Sequence, residues 1–342
     1  MSHKTRGLAL WTAVSFLSLP LIAGDGKAVK ATTVRVETAR SESAVLWREP
    51  ADLASRNLFY GPGGEQDQPK GPFTFVEEDL NGTNPKYIVR GVDKVKWTVK
   101  LGMEARPETV STRLVWAVGY SASEDYFLQD LQVDGMPAHL KRGGNLVGPG
   151  GTMHAARLKR HNEDQKNLGI WSWRDGPWTD TRELNGLKVM MALINNWDLK
   201  DENNEFYGAK AGKAQVYIVS DLGASFGSTG LSFPFRRSKD DLKAYEHSKF
   251  ISKATAEYVD FRTPSRPALI YAFDLPNFMR RVHIDQVTHR VPRPDAQWMG
   301  HILSGLSVEQ IHDAFRAAGY TPAEVEAFSK VVQARIAQLS NL

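Results

Sequence analysis

The stretch "NWDLKDENN" (residues 196–204), followed by the strand-like "AQVYIVSDLG" (214–223), decides the fold of this chain. Asp198 is followed by Asn203 five positions later, and Asp221 stands at the end of the apolar run. An Asp and an Asn at this interval, followed by a strand that ends in Asp, suit magnesium and phosphate chemistry. The same residue types also occur by accident in polar turns. The rest of the sequence has to separate these two interpretations.

Length and composition predict an ordered globular protein. The chain has 342 residues, of which 42% are hydrophobic and 10% aromatic, enough for one large core or two modest ones. The net charge of +4 is too small for the basic surface of a nucleic-acid-binding protein, so no nucleic-acid partner is expected. The absence of cysteine excludes disulfides, a lipid-modified cysteine and thiolate metal sites.

The N-terminus has the pattern of an export signal. "MSHKTR" (1–6) is basic, "GLALWTAVSFLSLPLIAG" (7–24) is apolar, and Ala23 and Gly24 are small residues of the kind found at cleavage sites. The apolar run is also long enough for a membrane anchor, but Pro20 near its end favours a cleaved signal peptide. We therefore predict an exported protein of a bacterial periplasm or envelope. A membrane-anchored protein, held only by this segment, is the alternative.

The composition and hydrophobic periodicity of the remaining chain change along its length. Residues 25–72 are polar and irregular, which predicts an N-terminal extension. Residues 73–165 contain strand-like runs separated by short turns, which predicts an antiparallel meander, together with one helix. Residues 166–342 are mostly helical in their periodicity and end in two helices that each begin with a capping box. This order predicts an α+β protein.

Lys100 and Glu108 are the first candidates for a functional site. Lys100 lies near the end of the third strand-like run, "VKWTVKLG" (95–102), and alternation along that strand places it on the face opposite to Trp97 and Val99. A lysine there could reach a phosphate, and a solvated strand lysine is the alternative. Glu108 begins the following helix and could pair with Lys100, although the helix dipole also accounts for an acidic residue in a first turn.

Asp198 and Asn203 follow a buried amphipathic helix in a segment too polar to continue it. A phosphotransferase needs a carboxylate that accepts or orients the proton of an attacking hydroxyl, and an oxygen ligand for magnesium a few residues on. A helix C-terminal turn rich in Asp and Asn is the alternative. Asp221 follows the apolar "VYIV" and precedes "LG", where an ordinary turn aspartate is equally compatible.

The order of these residues resembles the protein-kinase-like superfamily. "WDLKDEN" (197–203) matches the kinase catalytic-loop pattern at its Asp, Leu, Lys and Asn positions, and "SDLG" (220–223) stands where the Asp-Phe-Gly element is expected. Lys100 on a third strand and Glu108 on the next helix extend the match, which covers roughly residues 73–230. The chain looks most similar to divergent branches of this superfamily, the HipA-type and lipid-kinase-like branches.

The resemblance implies a bilobal fold, with a small antiparallel-sheet N-lobe and one helix in residues 73–165 and a mostly helical C-lobe in residues 166–342. It implies an ATP- and magnesium-dependent phosphotransferase that acts on a hydroxyl of a protein, lipid or small molecule. It also implies a role for each candidate: Lys100 would hold the α- and β-phosphates of ATP, Glu108 (or, as a second candidate, Glu104) would orient Lys100, Asp198 and Lys200 would be catalytic, and Asn203 and Asp221 would bind Mg²⁺.

Three departures from the kinase pattern support a second hypothesis. The turn "EDLNGTNPK" (78–86) has one glycine and no G-x-G-x-x-G, Asn196 and Trp197 replace the usual His-Arg, and the Ala-Pro-Glu element is missing after Asp221. A bacterial periplasm is also expected to hold little ATP. The alternative is therefore a catalytically silent module of the kinase fold that holds a nucleotide or a protein partner in the envelope.

Overall fold

The computed structural model describes residues 36–37, 44–82, 84–209, 214–228, 238–263 and 274–342. The proposed signal segment, residues 1–24, lies outside the described residues, as do Arg236 and Arg237. No helix in the described part of the chain is both long and apolar enough to cross a membrane.

The chain alternates short strands and helices. The elements of the first half, in chain order, are β1 (Val36–Glu37), β2 (Ala44–Val45), β3 (Phe73–Asp79), β4 (Lys86–Arg90), β5 (Lys96–Lys100), α1 (Ala105–Ala117), β6 (Asp125–Asp134), β7 (Thr152–Arg160) and β8 (Gln165–Trp171). Those of the second half are α2 (Arg182–Leu193), β9 (Asn204–Ala209), β10 (Gln215–Val219), α3 (Leu242–His247), β11 (Ile251–Ala254), β12 (Tyr258–Phe261), α4 (Leu275–Asp285), β13 (Val291–Pro292), α5 (Arg293–Ser304), α6 (Val308–Arg316) and α7 (Pro322–Ser340).

The predicted meander is present, but its sheet is closed. Strands β3, β4 and β5 pair antiparallel in sequence order, and the sheet continues through β7 to β6. A short parallel contact between β3 and β6 then closes a five-stranded barrel. Closure leaves no free sheet edge, whereas the sequence predicted only a small open antiparallel sheet. Trp97 and Val99 point into the barrel core, as their alternation with Lys100 predicts.

Helix α1 packs outside the barrel core. Its apolar residues Val110, Leu114 and Val115 belong to a second, larger hydrophobic core that also contains residues of helices α2, α5, α6 and α7. The sequence grouped this helix with the small sheet. The difference arises because the barrel fills its interior with its own strand residues and presents a polar outer face to α1, including Arg157 of β7.

A second sheet lies directly after the barrel in the chain, where the sequence predicted mostly helix. Its order is β1-β8-β9-β10-β2, with β8, β9 and β10 antiparallel and the two short edge strands parallel to their neighbours. Strands β9 and β10 were expected around the candidate motif, but β8 was not. The pairing of Asn204 with Val219 sets Asn203 beside Ser220. This register brings the two polar motifs together.

The segment 44–72, predicted to be an irregular extension, is partly integrated into the fold. Strand β2 pairs with β10, and Leu46 and Leu58 are buried in the larger core. The two terminal helices begin as the sequence predicts. Both capping boxes are formed, one at α6 and one at α7, so each helix start is fixed by its own side chains.

Candidate functional site

A cleft of about 830 Å³ brings the sequence-predicted site residues together. It is lined by residues of β5, α1, the loop after α2 and the loop after β10. All six candidates lie on its walls: Lys100, Glu108, Asp198, Lys200, Asn203 and Asp221. Residues that are far apart in the chain therefore share one solvent-filled site.

Lys100 is the centre of an ion-pair cluster at one end of this cleft. Its Nζ lies 2.7 Å from Glu108 Oε2, 2.8 Å from Glu104 Oε2 and 3.2 Å from Asp221 Oδ1. The Lys100 and Glu108 side chains are only 6% and 3% exposed, whereas that of Asp221 is 40% exposed. The pairing of Lys100 with Glu108 is the one that the sequence predicted. Glu104, the second candidate for this role, also contacts the lysine.

The electrostatics of this cluster favour the ionised forms of Lys100, Glu104 and Asp221. Burial alone would lower the pKa of Lys100, but the carboxylates of Glu108, Asp221 and Glu104 outweigh it and raise the pKa above the usual value. Burial would raise the pKa of Glu104 and Asp221, and the Lys100 ammonium is the main cause that lowers it for both. Lys100, Glu104 and Asp221 therefore all stay charged in the folded protein.

The backbone at Gly223 lies close to the start of α1, and this approach sets the position of Asp221. The carboxylate Oδ1 accepts a hydrogen bond of 3.4 Å from the Gly223 backbone N–H. A Cβ added to Gly223 would lie 2.7 Å from Glu104 Cβ, so only glycine fits against the start of α1 at this point. Within the described part of the chain, the hydrogen bonds and ion pairs of Asp221 go to Oδ1 and none goes to Oδ2, and the residue lines the cleft.

The loop that carries Asp198 is shaped by the two residues before it, Asn196 and Trp197. Asn196 Oδ1 accepts a hydrogen bond of 3.0 Å from the Asp198 N–H, and the Trp197 N–H donates to the Ala224 carbonyl at 3.2 Å. Both side chains are buried, 0% and 1% exposed. Asn195 has a φ of 53°, a left-handed conformation that turns the chain out of α2. Asn196 and Trp197 therefore shape the loop from within.

Asp198, Lys200 and Asn203 form a second cluster in the lining of the cleft. Lys200 Nζ lies 2.8 Å from Asp198 Oδ2, and Arg281 Nη1 lies 4.0 Å from the other oxygen. Asn203 Nδ2 donates a hydrogen bond of 2.6 Å to the Asp198 backbone carbonyl. That bond uses the amide nitrogen of Asn203 and leaves its Oδ1 as a free oxygen donor.

The donor set fits a magnesium ion. Asn203 Oδ1 and Asp221 Oδ2 are both oxygens, both residues line the cleft, and neither oxygen has a partner within the described residues. Hard divalent cations prefer such carboxylate and amide oxygens. Glu104, Glu108 and Asp221 also offer carboxylate oxygens within 4.8 Å of one another, but Lys100 already occupies the space among them.

Several residues of the site were not found from the sequence. Arg157 bonds Glu108, Lys239 bonds Glu104, and Asn84 of the β3–β4 turn donates to Glu104 as well. None of them belongs to a motif. The one available signal was the alternation along β7, which sets Arg157 and Lys159 on the same face, but a sequence does not show which strand will lie beside β5.

No protein-family model matches the chain, and no curated protein matches it. Among solved structures, it is similar to the proinflammatory kinase CtkA of Helicobacter pylori. The two chains are 11% identical, the similarity covers 79% of this chain and 95% of that chain, and the TM-score is 0.43. A similarity of this size concerns the general kinase-like fold at most.

Proposed function

We propose that the protein is a kinase-like phosphotransferase that transfers a phosphoryl group from Mg-ATP to a hydroxyl acceptor. The cleft would separate a barrel-based lobe from a helix-rich lobe, as in a bilobal kinase. One observation carries the proposal: Lys100 Nζ contacts Asp221 across a sequence separation of 121 residues, in the same cleft as Asp198 and Asn203. The motif order in the sequence and the convergence in space are independent, and both fit phosphoryl transfer.

Lys100 would bind the phosphates of the donor. Its ammonium is held in place by Glu108, which is fully buried, while its contact to Asp221 is partly exposed. A phosphate oxygen can therefore replace the exposed contact and keep the buried one. Positioning and charge neutralisation of this kind supply most of the catalysis in phosphoryl transfer, because the protein does little covalent chemistry there.

Asn203 and Asp221 would hold Mg²⁺ through their free oxygens. When bound, the ion supplies positive charge that neutralises the phosphate oxygens of the donor. Asp221 would contribute the one full negative charge of the proposed metal site. Lys100 contacts Oδ1 and so orients the Asp221 carboxylate. The bond from the side-chain nitrogen of Asn203 to the Asp198 carbonyl orients Asn203, and the Asn203 carbonyl accepts a hydrogen bond of 2.7 Å from the Ser220 N–H beside Asp221.

Asp198 would accept or orient the proton of the acceptor hydroxyl. Its carboxylate lies on the cleft wall with 17% of the side chain exposed, so a hydroxyl can reach it. Lys200, at 2.8 Å, and Arg281, at 4.0 Å, place positive charge beside it. These cations would also offset negative charge on the transferring group and on the acceptor side of the reaction.

A nucleotide- or partner-binding module without transfer activity is the second candidate. The β3–β4 turn favours it, because Gly82 is the only glycine there and Asn84 is engaged with Glu104. Backbone amides of a glycine-rich loop normally cover the phosphates in kinases. In this chain the phosphates would have to be contacted by side chains instead, such as those of Lys86 and Lys239, which line the same cleft.

The test is a titration of the purified full-length chain with ATP and Mg²⁺, followed by thermal unfolding and calorimetry. We expect stabilisation that grows with ligand concentration, about 2.7 kcal/mol at a hundredfold excess over Kd, and that disappears when EDTA removes the metal. Release of ADP in the same mixture would support phosphoryl transfer to water or to an acceptor. Binding without any turnover would favour the silent module, and the absence of binding would refute the phosphotransferase and the nucleotide-binding form of the second candidate.

A further inference from the structure

Arg157 of β7 contacts the same carboxylate that holds Lys100. Its side chain is 5% exposed, and Nη2 donates to Glu108 Oε1, while Lys100 Nζ lies 2.7 Å from Oε2. Each oxygen of Glu108 thus has its own cation. A carboxylate held on both oxygens has little freedom to rotate, because rotation would leave a buried charge without a partner.

Glu108 is the carboxylate that directly contacts both cations. Lys100 and Arg157 are directly paired in the β5–β7 ladder, where two like charges on one face repel each other. Glu108 bonds both and offsets that repulsion. Burial alone would lower the pKa of Arg157, but Glu108 is the largest opposing cause and the pKa is raised. The arrangement therefore depends on Glu108 facing both strands.

A second buried carboxylate, that of Asp125, also contacts Arg157. Asp125 Oδ2 lies 3.8 Å from Arg157 Nε, and the Asp125 carboxylate also accepts hydrogen bonds from Arg113 Nη1 at 3.2 Å and Thr112 Oγ1 at 3.1 Å. Burial raises the pKa of Asp125 to about 6, against the lowering effects of Arg157 and Arg113. Positive and negative side chains alternate from Arg113 through to Lys100, inside the protein.

Helix α1, which carries Glu108, has no free side along which to move. Nearly all its residues are buried, including the polar Thr109, Ser111 and Thr112. Arg56 bonds the carbonyls at its C-terminal end, and Arg106 at its N-terminal end lies 2.9 Å from Glu324 of α7. Because the helix is held at both ends, the position of the Glu108 carboxylate is set by the side chains around it.

We propose that Arg157 is a positioning residue of the nucleotide site, which keeps Glu108 turned toward Lys100 when a phosphate draws Lys100 away from Asp221 and Glu104. The inference rests on the proposed function. Arg157 also lines the cleft, but its Nε and Nη1 are shielded from solvent and its Nη2 bonds Glu108, so the proposed action of the guanidinium is through Glu108. With Glu108 held by Arg157, Lys100 returns to one place after each turnover.

The experiment compares Mg-ATP affinity, by calorimetry, in Arg157→Met, Arg157→Lys, Glu108→Gln and the double variant Arg157→Met/Glu108→Gln. We expect Arg157→Met to raise the Kd about tenfold and the double variant to bind about as weakly as Glu108→Gln alone, since coupled residues do not add. Arg157→Lys keeps the cation and should recover most of the affinity. Arg335→Met is the matched control: it removes a buried guanidinium that bonds the backbone carbonyls of Ala192 and Leu193 and no member of this charge cluster, so it should lower stability and leave the Kd within about twofold.

A folded Arg157→Met protein that binds Mg-ATP as tightly as the wild type would overturn the proposal, and so would effects of Arg157→Met and Glu108→Gln that multiply. A wild-type protein that binds no Mg-ATP would instead refute the proposed function. In that event a crystal structure of Arg157→Met still tests the contact itself: Glu108 turned away from Lys100 supports the positioning role, and an unmoved Glu108 excludes it.

Discussion

The side-chain amide of Asn203 donates a 2.6 Å hydrogen bond to the backbone carbonyl of Asp198, and this bond joins the two ends of the motif that decides the fold. It fixes the Asn203 amide so that nitrogen faces the loop and oxygen faces away from it. The adjoining strand pair, Asn204 opposite Val219, then holds this oxygen beside the loop of Asp221. The proposed metal site is thus a product of one side-chain bond and one strand register.

Asn203→Ala should weaken metal-dependent nucleotide binding without unfolding the protein, because it removes one oxygen ligand and one loop bond. We expect the Kd for Mg-ATP to rise about tenfold, equivalent to about 1.4 kcal/mol. Calorimetry with and without Mg²⁺ measures it. An equal loss in both conditions would show that Asn203 shapes the loop but does not bind the ion.

Asp221→Asn should impair nucleotide binding, whereas Asp198→Asn should impair phosphoryl transfer. Asp221→Asn removes the one full negative charge expected to touch Mg²⁺, so metal-dependent nucleotide binding should be lost. Asp198→Asn should leave binding nearly intact and lower phosphoryl transfer by roughly 10²- to 10⁴-fold, the usual range for a lost general base. Kd by calorimetry and ADP release by a coupled assay separate the two. Unchanged binding and turnover in both variants would mean that the motif is architectural only.

Lys100→Met should destabilise the protein in a pH-dependent manner. It leaves Glu104, Glu108 and Asp221 without their central cation, and breaking such a buried pair costs about 3–5 kcal/mol at pH 7. In the wild type, the lowered pKa of Glu104 and Asp221 contributes stability that is present above their unfolded pKa values, about 4, and is lost as the pH falls below them. In the variant, three neighbouring carboxylates have only Arg157 and Lys239 as partner cations, so they take up protons on folding and a lower pH favours the folded state.

The difference in unfolding free energy between Lys100→Met and wild type should therefore shrink from pH 7 to about pH 4.5. Urea denaturation at both pH values measures it. Lys96→Met, on the same strand, is the control, because Lys96 forms no ion pair in the described part of the chain. A deficit that is equal at both pH values would show that Lys100 contributes through packing and not through its charge.

Gly223→Ala should impair the site through sterics alone. Its Cβ would meet Glu104 Cβ at 2.7 Å, so the Asp221 loop must move away from α1. We expect weaker Mg-ATP binding, by about tenfold or about 1.4 kcal/mol, with a modest loss of stability. Gly144→Ala is a matched control, since its nearest neighbour is 4.0 Å away, and should leave binding unchanged. Unaltered affinity in Gly223→Ala would show that the loop tolerates the shift.

Arg335→Met should destabilise the fold without direct contact to the cleft. The buried guanidinium donates to the carbonyls of Ala192 and Leu193 at the end of α2 and to that of Tyr245. Each carbonyl keeps another donor, so the cost is the loss of hydrogen bonds from a charged donor, roughly 1.5–3 kcal/mol each. Chemical denaturation should show a loss of a few kcal/mol, on that scale. A stability close to that of the wild type would show that water replaces the arginine.

Local patterns in the sequence determined several of the elements and the six candidate residues of the site. Alternation along "VKWTVKLG" gave a strand with Lys100 on the outer face, and the capping boxes gave the starts of α6 and α7. The motif spacing identified Asp198, Asn203 and Asp221, which line the same cleft. These features depend on interactions within a few residues, such as caps, periodicity and short turns, so the amino-acid order is sufficient to predict them.

Tertiary structure alone decided which charges meet. Closure of the barrel, the strand β8 and the burial of α1 in the larger core all depend on contacts between distant segments. The partners of the site follow from that packing: β7 brings Arg157 to Glu108, and the chain after β10 brings Lys239 to Glu104. A buried charge requires a partner, but any cation on any neighbouring strand can provide it. The sequence therefore identifies the charged residues, but only the tertiary structure determines which of them form ion pairs.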